Sequence, residues 1–232
     1  MLTHRRSADR GHVDHGWLNA RHSFSFASYH DPDHMGFRAL RVINEDVIAA
    51  GQGFGTHPHR DMEILTYVIE GALEHKDNLG NGSVIRPGDV QWMSAGSGVT
   101  HSEFNPSADE TTHLLQIWIL PDRKDRVPDY GEKHFSVSDR TNRLRLVASR
   151  DGADGSLTWG QDVRLYASLL DNQHRVQLDL DPARHAWIQL IKGSLTVNGE
   201  HLASGDALAI SEESHLDISA TAASEFLVFD LT

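Results

Sequence analysis

Two short stretches of this chain carry histidines and carboxylates at a spacing that suits metal binding. In GTHPHRDME, one residue separates His57 from His59, and Glu63 follows. In GSGVTHSEF, one residue likewise separates His101 from Glu103. Successive side chains of a β-strand point to opposite faces, so each pair separated by one residue would share a face. Two such strands that meet across a barrel interior would surround one ion.

The donor types of these residues narrow the choice of metal. Three imidazoles and one carboxylate suit iron, manganese, copper, nickel or zinc. The chain has no cysteine, which excludes thiolate ligands and disulfide bonds. The C-terminal half contains no His-x-His or His-x-Glu pair, and we expect that half to bind no metal.

The segments that must position these residues are predicted to be β-strands. EILTYVIEG and HLLQIWIL are rich in β-branched and aromatic residues. Between them, DNLGNGSVIRPGDV contains Asn-Gly and Pro-Gly-Asp, which are typical of hairpin turns. No segment of residues 36–120 has a helical period of apolar residues. The sequence therefore predicts an all-β fold with antiparallel strands in a sandwich or barrel.

The two halves of the chain resemble each other. EILTYVIEGALEHKD matches AWIQLIKGSLTVNGE, and RPGDVQWMSAG matches ASGDALAIS, which indicates two copies of one small barrel. The segment between them is polar and rich in breakers. We predict an N-terminal metal-binding barrel over residues 1–133, a linker over 134–157 and a C-terminal barrel over 158–232.

Charge and hydropathy exclude several classes of partner. The net charge of −12 repels a phosphate backbone, so we expect no direct binding of nucleic acid. No apolar run approaches the about 20 residues that span a bilayer. The opening residues lack the apolar core of a secretory signal, and we expect a cytoplasmic protein. Because one chain already pairs two barrels, we expect a monomer.

The motifs resemble a known family. Around the first stretch, the spacing of Gly51, His57, His59, Glu63 and Gly71 resembles the first cupin motif. Around the second stretch, the spacing of Gly88, Gly96, His101 and Asn105 resembles the second cupin motif. HPHRDMEILTYVIEG, PGDVQWMSAGSGVTHSE and LLQIWI are similar to the pirins, especially the bacterial pirin-like quercetin 2,3-dioxygenases. The resemblance implies a bicupin of two antiparallel, jelly-roll-like barrels.

The resemblance also implies a ligand set. The general cupin pattern implies Glu63 as the fourth ligand. The pirin pattern implies Glu103 instead, together with His57, His59 and His101. Glu103 shares a strand face with His101, while Glu63 lies beyond an expected bend at residues 60–61. We therefore expect Glu103 to bind the metal, and Glu63 either to orient a ligand or to make a hydrogen bond just outside the ligand set.

The activity that the resemblance implies is metal-dependent cleavage of the heterocyclic ring of quercetin or a related flavonol with O₂, releasing CO. Iron is the metal expected by analogy, with zinc, copper, nickel and manganese as alternatives. Glu103 would be the catalytic base for the flavonol hydroxyl. Phe54 and Gln116 are expected to line the substrate pocket. Pirins also act as regulators, so a metal-sensing or redox-sensing binding protein is the alternative function.

Overall fold

Eighteen β-strands form from the alternating and apolar segments of the chain in the computed structural model, which describes residues 1–232. By their internal contacts the residues group into two units. The N-terminal unit comprises residues 11–134 and 159–161, and the C-terminal unit comprises residues 1–10, 135–158 and 162–232. The first strand, β1 (Leu2–Arg5), thus belongs to the C-terminal unit.

The N-terminal unit contains one antiparallel nine-stranded sheet in the order β2-β3-β4-β9-β5-β8-β6-β7, with β10 paired to β8. Its strands are β2 (Gly11–Asp14), β3 (Leu18–His22), β4 (Leu40–Ile48), β5 (Gly53–Glu70), β6 (Leu73–Asp77), β7 (Gly82–Ile85), β8 (Asp89–Phe104), β9 (Thr112–Ile119) and β10 (Asp129–His134).

The core of this unit is built on the two apolar runs that the sequence marks as strands. Residues 64–69 of β5 are buried between β8 and β9, the two strands with which β5 pairs. Leu65, Leu73 and Leu114 have no exposed surface. Each such side chain contributes about 1.5–3 kcal/mol by leaving water. This core holds the long strands β5 and β8 in the register that defines the site.

Strand β5 changes register in the middle, at the expected bend. Asp61 has a positive φ of 66°, and the pairing with β8 shifts between His59 and Asp61. A β-bulge of this kind bends the strand and re-aims the side chains that follow it. Opposite the bulge, Gly96 has φ 44°, and a Cβ there would lie 2.1 Å from the carbonyl oxygen of Arg126. The close approach requires glycine at this position.

The C-terminal unit contains the second nine-stranded sheet, in the order β1-β17-β15-β18-β13-β11-β12. Its remaining strands, β14 and β16, pair with β18 and β15. The sheet is antiparallel except for the β11–β12 pair. The strands after β10 are β11 (Arg145–Ser149), β12 (Leu157–Thr158), β13 (Val163–Leu170), β14 (Arg175–Asp179), β15 (His185–Val197), β16 (Glu200–Ala203), β17 (Ala207–Ile210) and β18 (His215–Leu231).

The unit boundaries differ from those expected from composition. The segment expected to be a linker, residues 134–157, contains the helix α1 (Val137–Arg140) and the strands β11 and β12, and its residues from 135 onward belong to the C-terminal unit. Residues 1–10 belong there too, because Leu2 pairs with Ile210 in β17. Polar composition does not reveal such long-range pairing. No helix of this protein is long and apolar enough to cross a membrane.

Candidate metal centre

Strands β5 and β8 bring three histidines together in the N-terminal unit. His57 pairs with His101 in the sheet register, and His59 follows on the same face of β5. One ring nitrogen from each of the three lies within 4.8 Å of the others, and the Nε2 atoms of His57 and His101 are 3.0 Å apart. The 3.0 Å separation suits two ligands of one ion, because two metal–nitrogen bonds of about 2.0–2.1 Å each span at most about 4.2 Å.

The environment keeps two of these imidazoles neutral. Burial, together with the charges of the neighbouring His59, His57 and His75, lowers the pKa of His101 to about 2. Burial followed by the charge of His57 lowers the pKa of His59 to about 4. At neutral pH each of these two rings therefore has one nitrogen with a free lone pair and one N–H. Neutral imidazoles at this spacing fit a transition-metal ion.

A fourth histidine lies behind His101. His75, on β6, is completely buried, and its Nε2 lies 3.1 Å from Nδ1 of His101. Its ring stacks on Tyr130 with the centroids 5.2 Å apart. On the other side of the triad, Nδ1 of His57 lies 2.8 Å from the carbonyl oxygen of Gly55. Both Nδ1 atoms thus have partners, and the Nε2 atoms of His57 and His101 face each other.

Glu103 lies on the same wall as His101 but is held by other partners. Its Oε1 accepts hydrogen bonds from Gln116 Nε2 at 2.7 Å and from Thr66 Oγ1 at 3.4 Å. Burial raises the pKa of Glu103, while Gln116, the charge of His57 and Thr66 act to lower it. The cluster of mutually close ligand atoms comprises the three histidines and does not include this carboxylate.

Glu63 lies beyond the bulge and has a separate set of partners. Its Oε2 accepts from Trp92 Nε1 at 2.7 Å, and its Oε1 accepts from Ser94 Oγ at 2.9 Å. The backbone N–H of Gly160 also donates to this fully buried carboxylate. Burial raises the pKa of Glu63, and these hydrogen bonds lower it. These partners of Glu63 lie outside the histidine triad.

The triad opens into a cavity of about 220 Å³, which we call the metal chamber. Besides the three histidines and Glu103, its lining residues are Phe26, Asn44, Asp46, Phe54, Ile64, Gln116 and Trp118. Phe54 and Gln116, the two residues expected in the substrate pocket, are among these lining residues. Trp118 meets His59 edge to face, with the ring centroids 4.9 Å apart. The chamber combines aromatic walls with a few convergent polar groups, as ligand pockets commonly do.

Several residues of the site were absent from the expected set. His75 could have been found from alternation, because it lies two residues from the buried Leu73 on one face of β6. Asn44 and Asp46 similarly share one face of β4 with the buried Val42 and Ile48. Phe26 lies in a turn between strands, where no periodicity marks it.

Comparisons with known proteins decide the family. The family model Pirin matches residues 3–119, and the model of the quercetinase C-terminal cupin domain matches residues 146–231. The chain belongs to the pirin family. A quercetin 2,3-dioxygenase of Escherichia coli strain K12 is 51% identical over all of this chain and 99% of its own. A pirin-like protein of Caulobacter vibrioides is 43% identical over 95% of both chains. The relatives thus confirm the expected likeness to quercetin 2,3-dioxygenases.

Solved structures of family members agree with this fold along the whole chain. The crystal structure of YhhW from Escherichia coli superposes with a TM-score of 0.97 at 49% identity and covers 100% of this chain and 98% of its own. YhhW in complex with nickel(II) gives a TM-score of 0.95 at 49% identity, covering 100% of this chain and 99% of that one. The predicted all-β bicupin fold is therefore confirmed.

Proposed function

We propose that this pirin-family protein is a metal-dependent dioxygenase that cleaves the heterocyclic ring of quercetin or a related flavonol with O₂ and releases CO. The proposed ligands of one divalent transition-metal ion are His57, His59, His101 and Glu103. The observation that carries the proposal is the convergence of three imidazoles, two of them held neutral, on a chamber that also contains a buried carboxylate. The relatives named quercetin 2,3-dioxygenase supply the substrate class.

Glu103 is the proposed base. A flavonol has a hydroxyl beside a ring carbonyl, and removal of the hydroxyl proton makes the ring electron-rich toward O₂. Gln116 and Thr66 hold Oε1 of Glu103, which leaves Oε2 to take that proton. A carboxylate in a buried site is suited to this transfer because burial raises its pKa toward neutrality. When bound, the metal would supply Lewis acidity and a template for the substrate and O₂.

The other residues of the chamber position the substrate. Phe54 and Trp118 present aromatic surfaces to a flat ring system and exclude water from it. Atoms balance without a further reductant: one carbon of the heterocycle leaves as CO, and both oxygen atoms of O₂ remain in the ring-opened ester. The proton held by Glu103 returns to that product.

The test follows quercetin decay by visible absorbance in air, together with CO release. The protein is stripped of metal and reloaded with Fe(II), Cu(II), Ni(II) or nothing. We expect decay that depends on metal and is lost in His101→Ala. The matched control is His113→Ala, because His113 pairs with Glu45 at 3.0 Å and does not line the metal chamber. It should keep the activity. Iron is expected to give the fastest decay.

Metal binding without quercetin cleavage would support the metal site and contradict the proposed reaction. If the protein bound one ion per chain through the histidines but cleaved no quercetin with any metal, the dioxygenase proposal would be wrong. The metal-sensing or redox-sensing function would then account for the bound ion.

A further inference from the structure

A second cavity of about 220 Å³ adjoins the metal chamber in the same unit. We call it the side chamber. The two share four lining residues, Phe26, Asn44, Asp46 and Phe54. Each chamber alone is smaller than the about 300–1,000 Å³ of pockets that bury most of a ligand, whereas the two together reach that range. The chambers therefore suit a ligand with two parts.

The shared wall carries two buried polar side chains. Asn44 and Asp46 are two residues apart on one face of β4, and they are 4% and 3% exposed. Oδ1 of Asn44 lies 2.7 Å from His22 Nδ1, so the orientation of the carboxamide is fixed and its amide nitrogen is available as a donor. A carboxylate accepts hydrogen bonds from hydroxyls, and an amide N–H donates to hydroxyl oxygens. This pair matches a group rich in hydroxyls.

The remaining surfaces around that pair are aromatic. Phe54 meets Trp17 edge to face at 5.3 Å, and Phe26 meets Trp118 edge to face at 5.3 Å. Trp17 lines only the side chamber and Trp118 only the metal chamber, so Phe54 and Phe26 stand between the two. Aromatic walls at these angles favour a flat ring. A ring with hydroxyl groups satisfies both the aromatic walls and the polar pair.

We propose that the side chamber binds the hydroxylated aryl ring that projects from the heterocycle of a flavonol, while the hydroxyketone part lies at the three histidines. Asp46 accepts hydrogen bonds from the ring hydroxyls, and the amide nitrogen of Asn44 donates to one of their oxygens. This inference rests on the proposed function and adds the part of the substrate that sets specificity. The expected ligand class is 2-aryl-3-hydroxychromones with hydroxyl groups on the aryl ring.

Three probes divide the ligand into its parts. Quercetin has the aryl ring with two hydroxyls, galangin has the same ring without them, and 3-hydroxychromone has no aryl ring. Binding is measured by fluorescence quenching of the nickel-loaded protein with oxygen excluded, so that catalysis does not enter. The wild-type protein should bind quercetin most tightly and 3-hydroxychromone least.

The first variant fills the side chamber. Val13→Trp adds bulk from β2 at a half-buried position that lines only this chamber. It should weaken the binding of quercetin and of galangin at least about tenfold, a change of about 1.4 kcal/mol in binding free energy. The binding of 3-hydroxychromone should not change. His12→Trp is the matched control, because His12 is exposed on the opposite face of the same strand. Ser28→Trp, from an exposed turn residue that lines the chamber, repeats the test if Val13→Trp folds poorly.

The second variant tests the polar contact. Asp46→Asn should weaken the binding of quercetin about tenfold, because a hydrogen bond to a charged acceptor is lost. The binding of galangin should not change. Equal weakening of all three probes by Val13→Trp, or of none, would overturn the side-chamber proposal while the dioxygenase proposal stands. Absence of binding by all three probes to the wild-type protein would instead overturn the dioxygenase proposal, and the side-chamber proposal with it.

Discussion

Nε2 of the buried His75 lies 3.1 Å from Nδ1 of His101, so this pair fixes which nitrogen of His101 faces the triad. If Nδ1 of His101 donates to His75, then Nε2 of His101 carries a lone pair toward His57. Nδ1 of His75 must then carry the proton, and it has no hydrogen-bond partner in the protein. A partner of this kind sets the tautomer and the orientation of a metal-binding histidine.

Removal of this contact should weaken metal binding. We expect His75→Leu to raise the metal Kd about 10–100-fold, the usual effect of losing the group that orients a ligand. His75→Gln should recover most of the affinity, because its side-chain oxygen can accept from Nδ1 of His101. The Kd is measured by competition with a chromophoric chelator. Equal affinities for the Leu and Gln variants would show that His75 acts through packing alone.

The hydrogen bond from Gln116 to Glu103 should control the pH dependence of catalysis. Gln116 Nε2 donates to the carboxylate and lowers its pKa against the effect of burial. Gln116→Met removes the donor, so the pKa of Glu103 rises and the ionised base appears only at higher pH. We expect the acidic limb of kcat/KM to move to higher pH. An acidic limb that stays in place would assign the base to another group.

The sequence was sufficient to predict the strands that carry the triad. Alternation places His57 with His59 and His101 with Glu103, and each pair lies on one strand, β5 or β8. The alternation of side chains along a strand does not show which strands are neighbours. The sequence therefore does not predict that β6 and β4 lie beside the site. His75, Asn44 and Asp46 all come from these two strands.

The sequence also does not predict the contacts of Glu63. The bend at residues 60–61 was expected, but its geometry decides which way the next side chain points. The bulge at Asp61 places Glu63 against Trp92 and Ser94. Likewise, the polar segment 135–158 joins its unit through pairing of β11 with β13, which its composition does not indicate.

Asn105 should be a major stabilising residue beside the site. Its amide nitrogen donates to the carbonyl oxygens of Ile48, Ala49 and Glu110 at 3.2, 3.2 and 2.8 Å. Its Oδ1 accepts from the backbone N–H of Ser107 at 3.0 Å. Asn105→Ala removes these four buried or part-buried hydrogen bonds, and we expect a loss of about 2–3 kcal/mol in the free energy of unfolding.

Urea unfolding of the metal-free protein measures that loss. Asn19→Ala serves as the control, because Asn19 is exposed and its side chain contacts only His12 at the surface. Its free energy of unfolding should change by less than about 0.5 kcal/mol. Comparable effects of the two substitutions would mean that the buried carbonyls find water in the variant.

The metal-free protein should become less stable as the pH falls from neutrality. The folded-state pKa values of His59 and His101 are lowered to about 4 and about 2 from a value of 6.5 in the unfolded chain. Below pH 6.5 the unfolded state therefore binds protons that the folded state does not, and stability rises with pH in that range. For His59 the change runs from about pH 4 to 6.5, and for His101 it extends down toward pH 2.

The double variant His59→Asn/His101→Asn isolates this contribution, because asparagine does not titrate and the other fourteen histidines are unchanged. We expect its urea midpoint to fall less steeply than that of the wild-type protein between pH 7 and pH 4.5. Both proteins are measured with a chelator present, since bound metal would compete with protons for the same nitrogens. Parallel curves would mean that the two imidazoles are already protonated in the folded, metal-free state, and the triad would then have to release protons to bind a metal at neutral pH.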